Sequence, residues 1–128
     1  MEILGNGVDI IQNSRIKKLI RNKKFIFRVF SKNEINESKK TKNKANFFAK
    51  RFAAKEAFVK SIGLGFRQGI NLKDICVYKD KLGKPNIVLN SKVKKVLSKK
   101  FSSNRFKIFL SLSDEKDYSI AYVILNKK

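Results

Sequence analysis

A chain of 128 residues, 42% of them hydrophobic, is long enough for one domain with a real core. Histidine is absent and Cys76 is the single cysteine, which excludes histidine-based catalysis, histidine or cysteine-cluster metal sites, and a disulfide framework. The 31 basic residues against 10 acidic ones give a net charge of +21, a field that favours an anionic partner. The lysines are spread over the whole chain, so the charge does not say which anion.

No run approaches the ~18 apolar residues of a membrane span. Met1 leads into ILGNGVDII without a basic n-region or cleavage site. The expectation is a reduced, cytoplasmic protein with no membrane association.

In chain order, residues 3–11 read as a strand of β-branched and apolar residues around two glycines. Residues 14–30 carry Ile16, Leu19 and Ile20 at helical spacing, with Ser14 as the expected N-cap and basic residues turned outward. Ser31 followed by Glu34 predicts a capping box opening a second short helix, and residues 36–44 a polar loop or frayed helix end. The longest helix is expected from Ala45 to Ile62, closing at Gly63 as C-cap, apolar on both sides and therefore central. Strands over 74–79 and 86–90 flank the turn DKLGKP. A short helix, SKVKKVLSKKF, follows with Val93, Val96 and Leu97 inward, and RFKIFLSLS and YSIAYVIL close the chain as a hairpin. This order predicts one α+β domain over 1–128 with a mostly antiparallel sheet packed against the long helix.

Two carboxylates stand in the most apolar elements: Asp9 in the first strand and Glu56 in the long helix. Carboxylates on two rigid elements, completed by waters and substrate phosphate, suit Mg²⁺. The plainer readings are a polar strand end for Asp9, and for Glu56 an exposed position or an ion pair with Lys55 or Lys60. Lys60, four residues after Glu56, either pairs with it or reaches a phosphate. In GLGFRQG (63–69), Gly65, Arg67 and Gly69 would let backbone and guanidinium close on a phosphate, with Gly63 explained by the helix end. GNG at 5–7 is a poor dinucleotide fingerprint. Gly83, Lys84 and Pro85 read as turn residues, Ser111 and Ser113 as strand residues on one face, and Cys76 as a buried strand residue.

These pieces, taken together, carry a resemblance. GNGVDI with Arg15 six positions after the aspartate, then FAKRFAAKEAFVKSIGLGF, then a hairpin containing GKP, then SLS before the last strand, closely resemble the holo-[acyl-carrier-protein] synthases, the small bacterial type of 4′-phosphopantetheinyl transferase. The match spans nearly the whole chain. It implies transfer of the 4′-phosphopantetheine arm of coenzyme A to a serine of apo acyl carrier protein, with adenosine 3′,5′-bisphosphate leaving, in support of fatty acid biosynthesis. It implies Mg²⁺ on Asp9 and Glu56, Lys60 near the α-phosphate, and a homotrimer with active sites at subunit interfaces. A basic first helix carrying Arg15, Lys18, Arg21, Lys24, Phe25 and Arg28 would dock the acidic carrier. Glu56, or a water ordered by the metal, is the expected base for the serine proton.

One departure stands out: where the family has histidine after the second serine of this strand, near the nucleotide and its 3′-phosphate, this chain has Asp114 following Ser113. An aspartate repels phosphate, so Lys84, Lys44 and Arg51 are expected to share that load. The coenzyme-binding positions implied are then Lys60, Gly63, Gly65, Arg51, Lys44, Lys84, Pro85, Ser113 and Asp114. Two other readings stand beside it: a basic nucleic-acid-binding module, disfavoured because the phenylalanines fall at core-like positions, and an inactive relative that only binds carrier protein.

Overall fold

The computed structural model of the chain describes residues 1–63 and 69–128. Strand β1 (Glu2–Gln12) runs into helix α1 (Asn13–Leu19), followed by α2 (Lys23–Val29), α3 (Lys32–Ser38) and the long α4 (Lys44–Ile62). A 3-10 turn (Leu72–Asp74) leads into the hairpin β2 (Ile75–Lys79) and β3 (Pro85–Leu89). Helix α5 (Ser91–Phe101) and the hairpin β4 (Phe106–Asp114) and β5 (Tyr118–Lys127) complete the chain. The antiparallel expectation holds, but the strands form two sheets: β1-β5-β4, with β5 central, and the β2-β3 pair.

Helix α4 is the hub, packing on β1, β5, β4, β2, α1 and α3. Asn43 caps its start by accepting from Asn46 N, and Gly63 ends it in the left-handed region (φ 81°), the role expected of that glycine. Its small residues Ala49, Ala53, Ala54 and Ala57 are fully buried. Close approach to β1 depends on Gly5 and Gly7: a Cβ on either would collide with the helix carbonyl oxygens of Ser61 or Ala57. GNG is therefore a packing surface, which is why it makes a poor fingerprint.

The 14–30 stretch is two helices. The first has Gln12 at its N-cap with no side-chain bond, so Ser14 lies within the helix and does not cap it. Asn13 is buried and engaged elsewhere, donating to the carbonyls of Glu115 and Lys116 at 3.1 Å in the β4-β5 turn. The chain breaks over 20–22, and Asn22 caps α2 through Lys24 N.

The expected capping box at Ser31 and Glu34 is present. Glu34 also has a second task. Its Oε1 accepts from the fully buried Lys55 at 2.6 Å, and its Oε2 from Val77 N at 3.0 Å. Lys55 Nζ donates further to the carbonyls of Ile75 (2.6 Å) and Leu72 (3.0 Å). Burial pushes the Lys55 ammonium down and the Glu34 carboxylate opposes that shift. One ion pair thus ties α3, α4, the 3-10 turn and β2 together.

Breaking such a pair strands a buried charge. Lys55→Met is expected to cost about 3–5 kcal/mol in urea unfolding. Adding Glu34→Gln should recover part of that loss, because no charge is then stranded. A double variant as unstable as the sum of its singles would contradict this account.

Candidate active site

Along β1 the residues Gly5, Gly7, Asp9 and Ile11 alternate onto the face that meets α4, and Gly7 and Ile11 are buried there. The two glycines bring the strand against the helix, and Asp9, two positions on, lands near Glu56. The proximity is registered electrostatically: burial first, then the Asp9 charge, pushes the Glu56 carboxyl above the ordinary glutamate value, while Lys60 and Arg15 pull the other way.

Lys60 does not pair with Glu56. Its Nζ donates to Asp9 Oδ1 at 3.1 Å and to the Val8 carbonyl at 3.0 Å. Nor does Lys55, which is committed to Glu34. Among the described residues, Glu56 has no ion-pair partner. Both plainer readings of Glu56 as half of a helical ion pair are thereby set aside.

The donor set fits a hard divalent cation. Asp9 and Glu56 supply oxygen only, from a strand and a helix held by backbone packing, and burial with the nearby Asp9 charge disfavours the Glu56 carboxylate. No group of three or more acidic, histidine or cysteine ligands is gathered among the described residues. Two carboxylates leave positions for water and a substrate's phosphate oxygens, the pattern Mg²⁺ favours over an all-protein cage.

The other site residues fall into separate places. Asp114 turns toward α4, where Asn46 Nδ2 donates to its Oδ2 at 2.6 Å and Lys50 stands 3.9 Å from its Oδ1. Its charge is thus held by neighbours the sequence reading did not single out. Arg51 is buried, with Cζ 3.5 Å from the centre of the Phe47 ring. Its Nη1 donates to the Phe47 carbonyl at 3.4 Å, while Nε has no partner among the described residues. Lys44, the first residue of α4, donates to the Ser38 carbonyl at 2.9 Å. Lys84 belongs to the β2-β3 turn, its backbone N donating to Asp80, and Pro85 opens β3. Ser113 sits opposite Ile120 and is exposed, whereas Asp114 turns to α4, so the two adjacent residues serve different faces. Gly65 and Arg67 lie outside the described residues. Gly69 is described, in the left-handed region at φ 74°. Cys76 is half-buried, not buried, with Sγ 3.2 Å from Ser31 Oγ.

The basic surface is shared by two helices, Arg15 and Lys18 on α1, Lys24 and Arg28 on α2, with Arg21 between them. Phe25 is not part of it. At 7% exposure it packs against Phe30 and Phe52, whereas Phe27, at 63%, is the exposed aromatic of α2.

Comparison with known proteins places this architecture. The chain belongs to the 4′-phosphopantetheinyl transferase superfamily, whose sequence pattern matches residues 5–123. It is 59% identical over 128 residues to a holo-[acyl-carrier-protein] synthase of Pelagibacter ubique, covering all of both chains. Among solved structures, a holo-[acyl-carrier-protein] synthase of Neisseria meningitidis superposes with TM-score 0.87 at 35% identity, covering 98% of this chain and 99% of that one. One from Bacillus anthracis, in complex with CoA (3′,5′-ADP), superposes with TM-score 0.83 at 33% identity over all of both chains. Within the superfamily its place is among the holo-[acyl-carrier-protein] synthases.

Proposed function

We propose that this chain transfers the 4′-phosphopantetheine arm of coenzyme A to a serine hydroxyl of an apo acyl carrier protein, giving the holo carrier and adenosine 3′,5′-bisphosphate. The observation that carries the reading is the Asp9–Glu56 pair with Lys60 beside it, in a chain that matches this family over residues 5–123. Transfer forms a bond from the serine oxygen to the β-phosphorus, the one bearing the pantetheine arm, and breaks that phosphorus's bond to the bridging oxygen. Mg²⁺ held by Asp9 and Glu56 would neutralise charge on the pyrophosphate. Lys60, long and more than half exposed, extends from the same helix to meet a phosphate oxygen. Glu56, beside the place where the serine hydroxyl would meet the phosphate, is the residue we assign to the serine proton. Lys50 lies 3.9 Å from Asp114 and lines the same cleft as Arg51, and we assign these two cations to the nucleotide end, which eases the concern raised by that aspartate.

An acidic carrier suits the surface formed by Arg15, Lys18, Arg21, Lys24 and Arg28, with Phe27 taking the part expected of Phe25. We place the protein in the cytoplasm, in fatty acid biosynthesis. No helix among the described residues is long and apolar enough to cross a membrane.

The trimer is likewise a proposal. The sheet face turned away from α4 presents Val8 and Ile10 of β1, Tyr118, Ile120 and Tyr122 of β5 and Phe109 of β4, all exposed and in register. A contiguous apolar face of this kind is what an obligate interface covers. Tyr122→Glu is expected to shift the assembly from three times the mass of one chain to a single chain in light scattering, with transfer lost as well. A parent protein that is monomeric at micromolar concentration would remove the proposal.

The direct test mixes the protein with coenzyme A, Mg²⁺ and an apo carrier and reads the carrier's intact mass. A gain of one phosphopantetheine arm, lost with Glu56→Ala and with a chelator, supports the reading. No gain on several carriers from a folded protein would leave an inactive carrier-binding relative in its place.

A further inference from the structure

The position of Lys60 has a consequence for how the site is loaded. Its ammonium lies about 3 Å from one carboxylate oxygen of Asp9 and from the Val8 carbonyl. Those are two oxygen ligands of the kind a hard cation takes. The Asp9 side chain is only 16% exposed, while the Lys60 side chain is 55% exposed. The carboxylate is fixed and the lysine has room to leave. Glu56 lies one turn before Lys60 on the same helix, yet the lysine bonds Asp9, and among the described residues Glu56 has no ion-pair partner.

We propose that Lys60 is the resident cation of the metal-free site, occupying Asp9 until an incoming phosphate draws it away and a divalent cation takes its place. The inference rests on the reading that Asp9 and Glu56 hold the metal and that Lys60 meets the substrate's phosphate. The lysine then has two stations, Asp9 in the empty protein and a phosphate oxygen in the loaded one. Metal alone must displace it and binds weakly. A phosphate-bearing substrate vacates Asp9 and so strengthens metal binding, and by linkage the metal strengthens the substrate's binding equally. The same lysine keeps Asp9 paired while the site is empty, which moderates the repulsion between the two carboxylates.

The test needs no turnover. Mn²⁺ binding to the coenzyme-free protein is followed by the loss of the free ion's electron spin resonance signal, and Mg²⁺ by displacement of Mn²⁺. Lys60→Met is expected to bind either ion about ten-fold or more tightly than the parent. Lys60→Arg, which keeps a cation that reaches Asp9, should stay as weak as the parent. Arg15→Met controls for field alone: Arg15 influences Glu56 without contacting either carboxylate, and its loss should tighten binding less than about three-fold. Circular dichroism establishes that each variant is folded, and Lys60→Gln substitutes if Lys60→Met is not.

If Lys60→Met gains no more than Arg15→Met, the resident-cation inference is overturned. The carboxylates separate this from failure of the underlying reading. Where Asp9→Asn and Glu56→Gln abolish Mn²⁺ binding with coenzyme A present and Lys60→Met still shows no gain, only the inference fails. Where those two changes leave Mn²⁺ binding intact, the metal site is elsewhere and both fall.

Discussion

Gly7→Ala is expected to destabilise the protein by about 3–5 kcal/mol, lowering its midpoint of thermal unfolding by some 10–20 °C. The added methyl meets the Ala57 carbonyl and lies close to the Ser61 backbone N, so the obstacle is helix backbone with no side chain to swing aside. Relief requires β1 to lift from α4, and that opens the interface on which Ile11, Phe58 and the buried alanines pack. Gly83→Ala is the informative comparison. Gly83, unlike Gly7, has a positive φ, but nothing lies within 4 Å of a Cβ built there. Only the left-handed backbone then costs, about 1–2 kcal/mol. A Gly7→Ala loss no larger than that of Gly83→Ala would mean the strand and helix do not approach as described. Function is exposed to the same shift, because Asp9 rides on β1 and Glu56 on α4, and a strand lifted by even an ångström parts the two carboxylates. Transfer should therefore fall in the Gly7→Ala protein at temperatures where it is still folded.

This closeness shows where the sequence was legible and where it was not. The alternation of β1, the length of α4, its C-cap at Gly63 and the Ser31–Glu34 capping box are local patterns, and each appears within a residue or two of its expected place. What opposes GNG across the core is not local, so its steric meaning was hidden. The break between α1 and α2 was missed because residues 19–23 contain neither glycine nor proline; Asn22 as a cap was the available sign. Phe25 and Phe27 are two positions apart on one helix, and only the tertiary packing decides which is buried.

The lysines of α4 were the hardest to assign. Helical spacing offered Glu56 to Lys60, but the fold gives Lys60 to Asp9 and Lys55 to Glu34. Both pairs join residues more than twenty positions apart, and no helical periodicity reports them. Asp9 and Glu56 themselves were legible as chemistry, since carboxylates in apolar surroundings call for a counter-charge. Asp114 was legible only as a departure. Its hydrogen bond from Asn46 and the nearby Lys50 charge depend on β4 ending against the first turns of α4.

Glu56→Gln is expected to move stability and activity in opposite directions, and the sign follows from its environment. Burial and Asp9 raise the folded-state pKa of Glu56 above its ordinary 4.5. An acid raised in this way favours the fold while protonated in both states, below about pH 4.5, and that advantage is lost as pH rises through the folded value. At neutral pH the carboxylate is therefore a burden on the metal-free protein, and glutamine, similar in shape and uncharged, lifts it. The group is half-exposed, so the gain is small, about 1–3 °C in the unfolding midpoint after allowance for solvent screening. The difference between the variant and its parent should vanish as pH is lowered toward about 4, where Glu56 is protonated in folded and unfolded chains alike. Mg²⁺ should then separate the two proteins again, raising the midpoint of the parent and leaving Glu56→Gln unmoved. Carrier modification should drop about 100-fold or more, since the substitution removes both a charge facing the metal and the assigned proton acceptor. A Glu56→Gln protein less stable than its parent in chelator at neutral pH would mean that Glu56 has a structural partner after all. The strained carboxylate would then not be the site's reserve of negative charge, and the residue's place in an apolar helix would need another cause.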